Sequence, residues 1–262
     1  MDTKQALVEL GVDKHTLTTC QRQALDEDGF FIVEGILSEE SCSRMRNRFD
    51  QIQQVEGKRG GWEVHTELGA PRLSNGLNKT AEFDDCLYIK PLLATAFHLL
   101  QPSFKVHGFN IRDASPGFGH QRLHSDYGRA VKMGDYHIVN SLILFDPFTS
   151  DNGAARVVPG SHRSGLRPED VMNNPLEAHQ DEVYVIAPAG SIVILNAHTW
   201  HGGTLNVSGA RRRVAHLSYC LRHEQQQFIQ QDFLTSSLYE RMPPAQRYLL
   251  QITSLNDSLS LN

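Results

Sequence analysis

Between positions 105 and 221 the chain is a succession of short runs rich in β-branched residues, and no amphipathic helical pattern separates them. The runs cover 105–112, 137–145, 183–187, 191–195 and 214–221, with Pro, Gly, Asn and Asp between them. Parallel strands need long crossovers, usually helical, and those would show a 3.6-residue apolar period. Their absence predicts antiparallel sheets, packed as a sandwich or jelly roll.

Helices are expected around this β region. Thr18 followed by Gln21 is a capping-box pattern, opening a short helix that Gly29 ends. Phe30 to Val33 reads as a brief strand. Ser38 caps a second helix, with Cys42, Met45, Phe49 and Ile52 at three- and four-residue spacing as its core stripe. From Gly57 to Thr80 the chain turns rich in Gly, Ser and Asn, with Trp62, His65 and Arg72 embedded. A loop of that length points to function or disorder. Residues 81–100 return to helical patterning with Pro91 as a break. Residues 163–180 form an insertion between strands, and beyond Glu224 the chain is Gln-rich and helical, with Pro243-Pro244 as a helix start. These parts predict one domain over 1–262: a mainly helical part at 1–100, a β core at 101–222 and a helical tail at 223–262.

Composition narrows the function. A net charge of −5 gives no electrostatic case for nucleic acid or an anionic membrane. Cys20, Cys42, Cys86 and Cys220 lie far apart and form no C-x-x-C pair, so they read as free thiols of a reducing compartment. The N-terminal stretch is broken by charges, unlike a signal peptide, and no apolar run approaches the roughly 18 residues of a membrane span. The cytoplasm is the expected location.

The chemistry is concentrated between His120 and His162, where His124-Ser125-Asp126 forms an H-x-D triplet. Residues two apart on an extended chain share a face, so imidazole and carboxylate can converge on one ion. His201, opening the run His201-Gly202-Gly203-Thr204-Leu205-Asn206, offers a third ligand. Two histidines and a carboxylate make the facial triad of non-haem Fe(II) oxygenases. Arg212 has a planar fork suited to a carboxylate, while Arg211 and Arg213 alternate away from it and read as exposed charge or salt bridges. His198 is the rival to His201, and His162, in its Pro-Gly-Ser-His setting, reads as a loop-shaping residue.

Taken together, Gly29-Phe30, the H-x-D at 124–126, Asn152-Gly153, Val158-Pro159-Gly160-Ser161-His162, and His201 with Asn206 and Arg212 resemble the phytanoyl-CoA dioxygenase family. The likeness runs from about 18 to 222. It implies a double-stranded β-helix, the jelly-roll core also seen in cupins, in a mainly β chain with helical additions. It also implies an Fe(II)- and 2-oxoglutarate-dependent dioxygenase, using O2 and with ascorbate as reductant. Such an enzyme couples conversion of 2-oxoglutarate to succinate and CO2 with hydroxylation or other oxidation of an organic molecule. By the same resemblance His124, Asp126 and His201 hold iron, Arg212 binds the tail carboxylate of 2-oxoglutarate, and Asn110 and Gln121 lie where groups touching 2-oxoglutarate are placed.

Two other classes use the same residues: a cupin-type hydrolase or isomerase holding zinc or manganese, and a catalytically silent binding module. Iron-dependent succinate formation separates the oxygenase from both. Family members act on acyl-CoA thioesters, amino acids and secondary metabolites, so the expected partner is a small molecule. Its recognition is expected in the segments 57–80 and 127–136, through Trp62, Tyr127, Arg129 and Tyr136. The cations Arg129 and Lys132 favour an anionic substrate.

Overall fold

The computed structural model describes residues 1–255. The β core consists of β1 (Phe30–Val33), β2 (Arg72–Ser74), β3 (Phe104–Asp113), β4 (Ile138–Leu144), β5 (Ala155–Val157), β6 (Val183–Tyr184), β7 (Ile192–Asn196), β8 (His201–Gly203) and β9 (Arg213–Leu221). They form a six-stranded sheet in the order β1-β7-β4-β9-β3-β2 and a three-stranded sheet in the order β6-β5-β8, and every pair is antiparallel. This is a jelly-roll core.

The large sheet is buried on both faces, and side-chain alternation separates two environments. From β3, Phe109 and Ile111 enter the main hydrophobic core, as do Val139 and Ile143 of β4, Ile192 and Ile194 of β7, and Ala215, Leu217 and Tyr219 of β9. Helices cover that face: α3 (Glu39–Glu56) supplies Cys42, Met45, Phe49 and Ile52, and α5 (Lys90–Leu100) supplies Leu92, Leu93 and Ala96. On the opposite face the intervening residues divide by polarity. Val193, Leu195 and Val214 pack with Ala155 and Val157 of β5 and with Val185, which follows β6. Asn110, Arg112, Asn140, His216 and Ser218 instead line a cavity between the sheets.

The N-terminal helices follow their capping residues. Asp2 and Thr18 close capping boxes on α1 (Thr3–Glu9) and α2 (Thr19–Glu27), and Ser38 caps α3 by accepting from Ser41 N–H at 3.1 Å. After α2 the chain reverses at Gly29, whose φ of +86° and crowding by Thr199 and His162 leave no room for a side chain. Beyond Glu224, α7 (Ser236–Arg241) and α8 (Pro244–Leu250) form, the latter starting at Pro244. Positions 256–262 of the expected helical tail lie outside the described residues.

One local expectation is corrected, and two short strands were not anticipated. Segment 57–80 is not one long loop: a 3-10 turn, β2 and the short α4 (Gly76–Lys79) interrupt it, and β2 extends the large sheet. Its polar, glycine-rich composition hid a strand of three residues. The helical stretch 81–100 is broken as expected beside Pro91, between a 3-10 helix over Ala81–Tyr88 and α5, and Pro91 fits the first turn of α5 because its missing N–H costs nothing there. Strands β5 and β8, three residues each, were too short to read from alternation. The insertion at 163–180 contains α6 (Pro168–Val171) and is anchored by Arg156, which is 2% exposed. That guanidinium donates to the carbonyls of Gln121, Pro175, Leu176 and Glu177 and to the Glu182 carboxylate.

Candidate active site

The H-x-D triplet lies on an extended segment paired with the chain around β8. The main chains of His124 and His201 form an antiparallel bridge, and Asp126 N–H donates to Ala197 C=O at 2.9 Å. Glycine makes this approach feasible. A Cβ on Gly203 would lie 2.7 Å from Gly119 O, and one on Gly202 would lie 2.9 Å from Arg122 O.

Three side chains then converge. Asp126 Oδ1 lies 3.8 Å from His124 Nε2 and 3.6 Å from His201 Nε2, and one donor atom from each residue fits within 4.8 Å. Each Nδ1 is hydrogen-bonded to a main-chain carbonyl, His124 to Arg122 at 2.9 Å and His201 to Thr199 at 2.8 Å. A carbonyl can only accept, so Nδ1 carries the proton and Nε2 presents its lone pair. Asn140 Nδ2 donates to Asp126 Oδ2 at 2.8 Å, which orients the carboxylate with Oδ1 toward the histidines. Burial alone would raise the Asp126 pKa, but the two imidazoles and Asn140 hold it well below the usual carboxylate range. Against the effect of burial, Asp126 in turn raises the His201 pKa, and a bound metal would displace that proton. This leaves two neutral imidazoles and an ionised carboxylate with an oriented outer shell, a donor set that suits a divalent first-row metal such as Fe(II). His198 is directed elsewhere: its Nε2 accepts from the main-chain N–H of His137 at 3.0 Å.

The cavity beside these residues has a volume of about 290 Å³. Arg212 projects into it just before β9 and is 3% exposed, with its guanidinium 5.0 Å from the Phe148 ring. Its Nε and Nη2 have no hydrogen-bond partner among the described residues. Burial, with Arg112 nearby, pulls its pKa down to about 9. A buried cation with free donors is costly until an anion meets it, so the site fits a carboxylate ligand. Arg211 and Arg213 point to the opposite face. Arg211 pairs with Asp50 at 2.8 Å and Asp113 at 2.5 Å, and Arg213 pairs with Asp50 at 3.1 Å and Asp146 at 2.8 Å.

Asn110 and Gln121 line the same cavity. Asn110 donates to Gln227 Oε1 at 2.5 Å, and Gln121 Oε1 accepts from Gly203 N–H at 3.0 Å. Trp62, Tyr127, Arg129 and Tyr136 are not among its lining residues. Trp62 is 59% exposed and meets the Phe233 ring edge-on. Tyr127 stacks on His137 and donates to Glu224 at 3.1 Å, Arg129 lies 5.9 Å over the Tyr127 ring, and Tyr136 packs near His162 and His198. His162 is 2% exposed and does not line the cavity. His65 and Arg72, named within the 57–80 segment, do line the cavity, while sequence reading did not single out Arg112, Asn140, His216 and Gln227 as lining residues. The available signal was polar side chains at alternate positions in otherwise apolar strands, as in Asn110-Ile111-Arg112.

A jelly roll with two histidines and an aspartate at one end of its inner cavity defines the cupin-like oxygenase class. The family model described as phytanoyl-CoA dioxygenase matches residues 25–214, and the chain belongs to that family, the Fe(II)- and 2-oxoglutarate-dependent dioxygenases. An uncharacterized protein of Mycobacterium tuberculosis is 27% identical over 222 residues, 79% of this chain and 76% of its own. The multifunctional dioxygenase prhA of Penicillium brasilianum is 26% identical over 227 residues, 77% of this chain and 71% of its own. Among solved structures, HygX from Streptomyces hygroscopicus with nickel and 2-oxoglutarate bound superposes with a TM-score of 0.66 at 16% identity, covering 80% of this chain and 89% of that one.

Proposed function

We propose that His124, Asp126 and His201 hold the Fe(II) and that Arg212 receives the distal carboxylate of 2-oxoglutarate, with Asn110 and Gln121 beside it. The observation that carries this reading is the pairing, in one cavity, of three convergent donors with a buried guanidinium that has free N–H groups. The metal, when bound with 2-oxoglutarate, supplies the oxygen activation and the oxidative decarboxylation to succinate and CO2. The chain's residues supply placement. The two Nδ1–H···O=C bonds fix the imidazole tautomers, and Asn140 keeps one carboxylate oxygen of Asp126 occupied. Arg212, held over Phe148, sets the reach of the co-substrate from the metal.

The substrate is a small molecule. HygX has been crystallised with hygromycin B, nickel and 2-oxoglutarate, which supports a small organic substrate for this chain as well. An anionic substrate is the finer reading, and hydroxylation the simplest outcome. The cytoplasm is the proposed setting, supported by four free cysteines, three of them buried. No helix among the described residues is long and apolar enough to cross a membrane. The test is a mass-spectrometric screen of metabolites for oxygen gain or hydrogen loss with Fe(II), 2-oxoglutarate, O2 and ascorbate. Succinate should form only when iron is supplied. Hydrolysis or isomerisation with zinc or manganese, and no succinate, would select the cupin-type alternative instead.

A further inference from the structure

The cavity carries more positive charge than the metal and 2-oxoglutarate together require. Three guanidinium groups line it, those of Arg72, Arg112 and Arg212. One carboxylate, Glu67, serves two of them: it lies 2.5 Å from Arg72 Nη1, 2.9 Å from Arg112 Nε and 2.5 Å from Arg112 Nη2. His65 and His216 also line the cavity. Burial lowers both their pKa values, His216 to about 3, and the Arg72 charge acts in the same direction, so both are neutral near pH 7.

The charges can be followed group by group. Fe(II) with Asp126 and two neutral imidazoles leaves one positive charge. The dianion 2-oxoglutarate and Arg212 bring that subtotal to zero. Arg72, Arg112 and Glu67 then leave one positive charge without a counterpart on the cavity wall. Arg112 uses Nε and Nη2 on Glu67, whereas Arg72 Nε is buried with no hydrogen-bond partner among the described residues. The Arg72 side chain is 11% exposed, and its main chain is fixed in β2 opposite Arg112. Its carbonyl also accepts from the Gln53 side chain of α3.

Position strengthens the case. A wider groove of about 910 Å³ runs outside the cavity, between α3 and the 57–71 segment, and Arg72 lines both spaces. Among the described residues, Arg72 is the one lining residue that the two spaces share.

We propose that the substrate carries an anionic group, a carboxylate or a phosphate, and that Arg72 receives it at the boundary between groove and cavity. The proposal rests on the reading that Arg212 is occupied by 2-oxoglutarate. It makes Arg72 a specificity residue: the anion is held at the entrance and the remainder of the substrate extends toward the metal.

The test uses the full chain loaded with Ni(II) and 2-oxoglutarate, titrated separately with acetate and with inorganic phosphate at constant ionic strength. Acetamide is the neutral control, and thermal melting and calorimetry are the readouts. Saturable stabilisation by acetate or by phosphate, absent with acetamide, is expected, and the stronger of the two identifies the anion class. Arg72→Gln should weaken that binding by about tenfold, the effect of losing one charge-assisted hydrogen bond. Arg72→Lys, which keeps the charge, should recover part of it, and 2-oxoglutarate affinity should stay within about twofold in both variants. Equal responses to acetate and acetamide, or an unchanged anion response in Arg72→Gln, would overturn the proposal. If Arg72→Gln does not fold, the wild-type titration and Arg72→Lys decide. Failure of 2-oxoglutarate to bind the metal-loaded wild type, or its unaltered binding by Arg212→Ala, would remove the underlying reading and this one with it.

Discussion

The main chains of His124 and His201 donate to one another, N–H to C=O in both directions, at 2.9 Å each. This exchange brings their rings to a centroid separation of 4.5 Å before any ligand is considered. The metal site is therefore pre-organised by strand pairing, with Asp126 carried two residues along the same segment.

From this arrangement, His201→Ala and Asp126→Ala should abolish Fe(II) binding and activity while the fold survives. Both residues contribute side chains to the site, and the main-chain pairing does not depend on them. Calorimetric metal titration together with circular dichroism checks it. His198→Ala should retain the metal, because its ring is committed to the His137 N–H. The opposite pattern would move the third ligand to His198.

Arg212→Ala should weaken 2-oxoglutarate binding by far more than Arg211→Ala or Arg213→Ala. Breaking a buried ion pair from one side costs on the order of 3–5 kcal/mol, which is two orders of magnitude or more in affinity. Arg211 and Arg213 hold Asp50, Asp113 and Asp146 on the other face, so their loss should appear as lower thermal stability. Equal, small changes in affinity at all three positions would contradict the assignment.

Glu67 provides a pH prediction. Burial raises its pKa, but Arg112 and Arg72 overcome this and hold it at about 2, against 4.5 ordinarily. A depressed carboxylate contributes its stability fully above the unfolded pKa and loses it as pH falls through the folded value. Acid unfolding should thus draw roughly 3 kcal/mol from this group between about pH 4.5 and pH 2. Denaturant melts of Glu67→Gln should show lower stability at pH 7 and a flatter decline across that window.

Gly29→Ala should destabilise the protein by roughly 2–6 kcal/mol, since overpacking and a non-glycine positive φ each cost about 1–3 kcal/mol. The new methyl would press on Thr199, two residues before His201, and on His162. Urea unfolding measures the loss. A change below about 0.5 kcal/mol, typical of an open surface site, would show that the turn relaxes.

Arg129→Ala separates two places of substrate recognition. If the segment 127–136 reads the substrate, coupled oxidation should fall while substrate-free 2-oxoglutarate turnover persists. Arg129 lies over Tyr127 rather than in the cavity wall, so normal kinetics in this variant, with defects in Arg72→Gln, would assign recognition to β2. Hydrogen exchange in 57–80 and 127–136 with substrate bound reports the same choice.

The local parts of this protein were legible in its sequence. Thr18 and Ser38 mark helix starts because a side-chain oxygen and a main-chain N–H meet within one turn. The strands β3, β4, β7 and β9 are long enough for β-branched composition to declare them. The shared face of His124 and Asp126 follows from the two-residue period of an extended chain. What only the tertiary structure decided depends on pairing between distant strands. Alternation says that Asn110 and Arg112 share a face, but not whether that face meets helices or a cavity. Strand order settles it, by setting β3 between β2 and β9 and Asn110 opposite His216. Arg72 shows the same limit most clearly. In the sequence it stands in a glycine-rich stretch with no periodic signal, and three residues of main-chain pairing to β3 turn it into a buried cation on the cavity wall. Its partner Glu67 is only five residues away, but the surplus positive charge arises because the sheet brings Arg112 onto the same carboxylate, and nothing local in the chain carries that information.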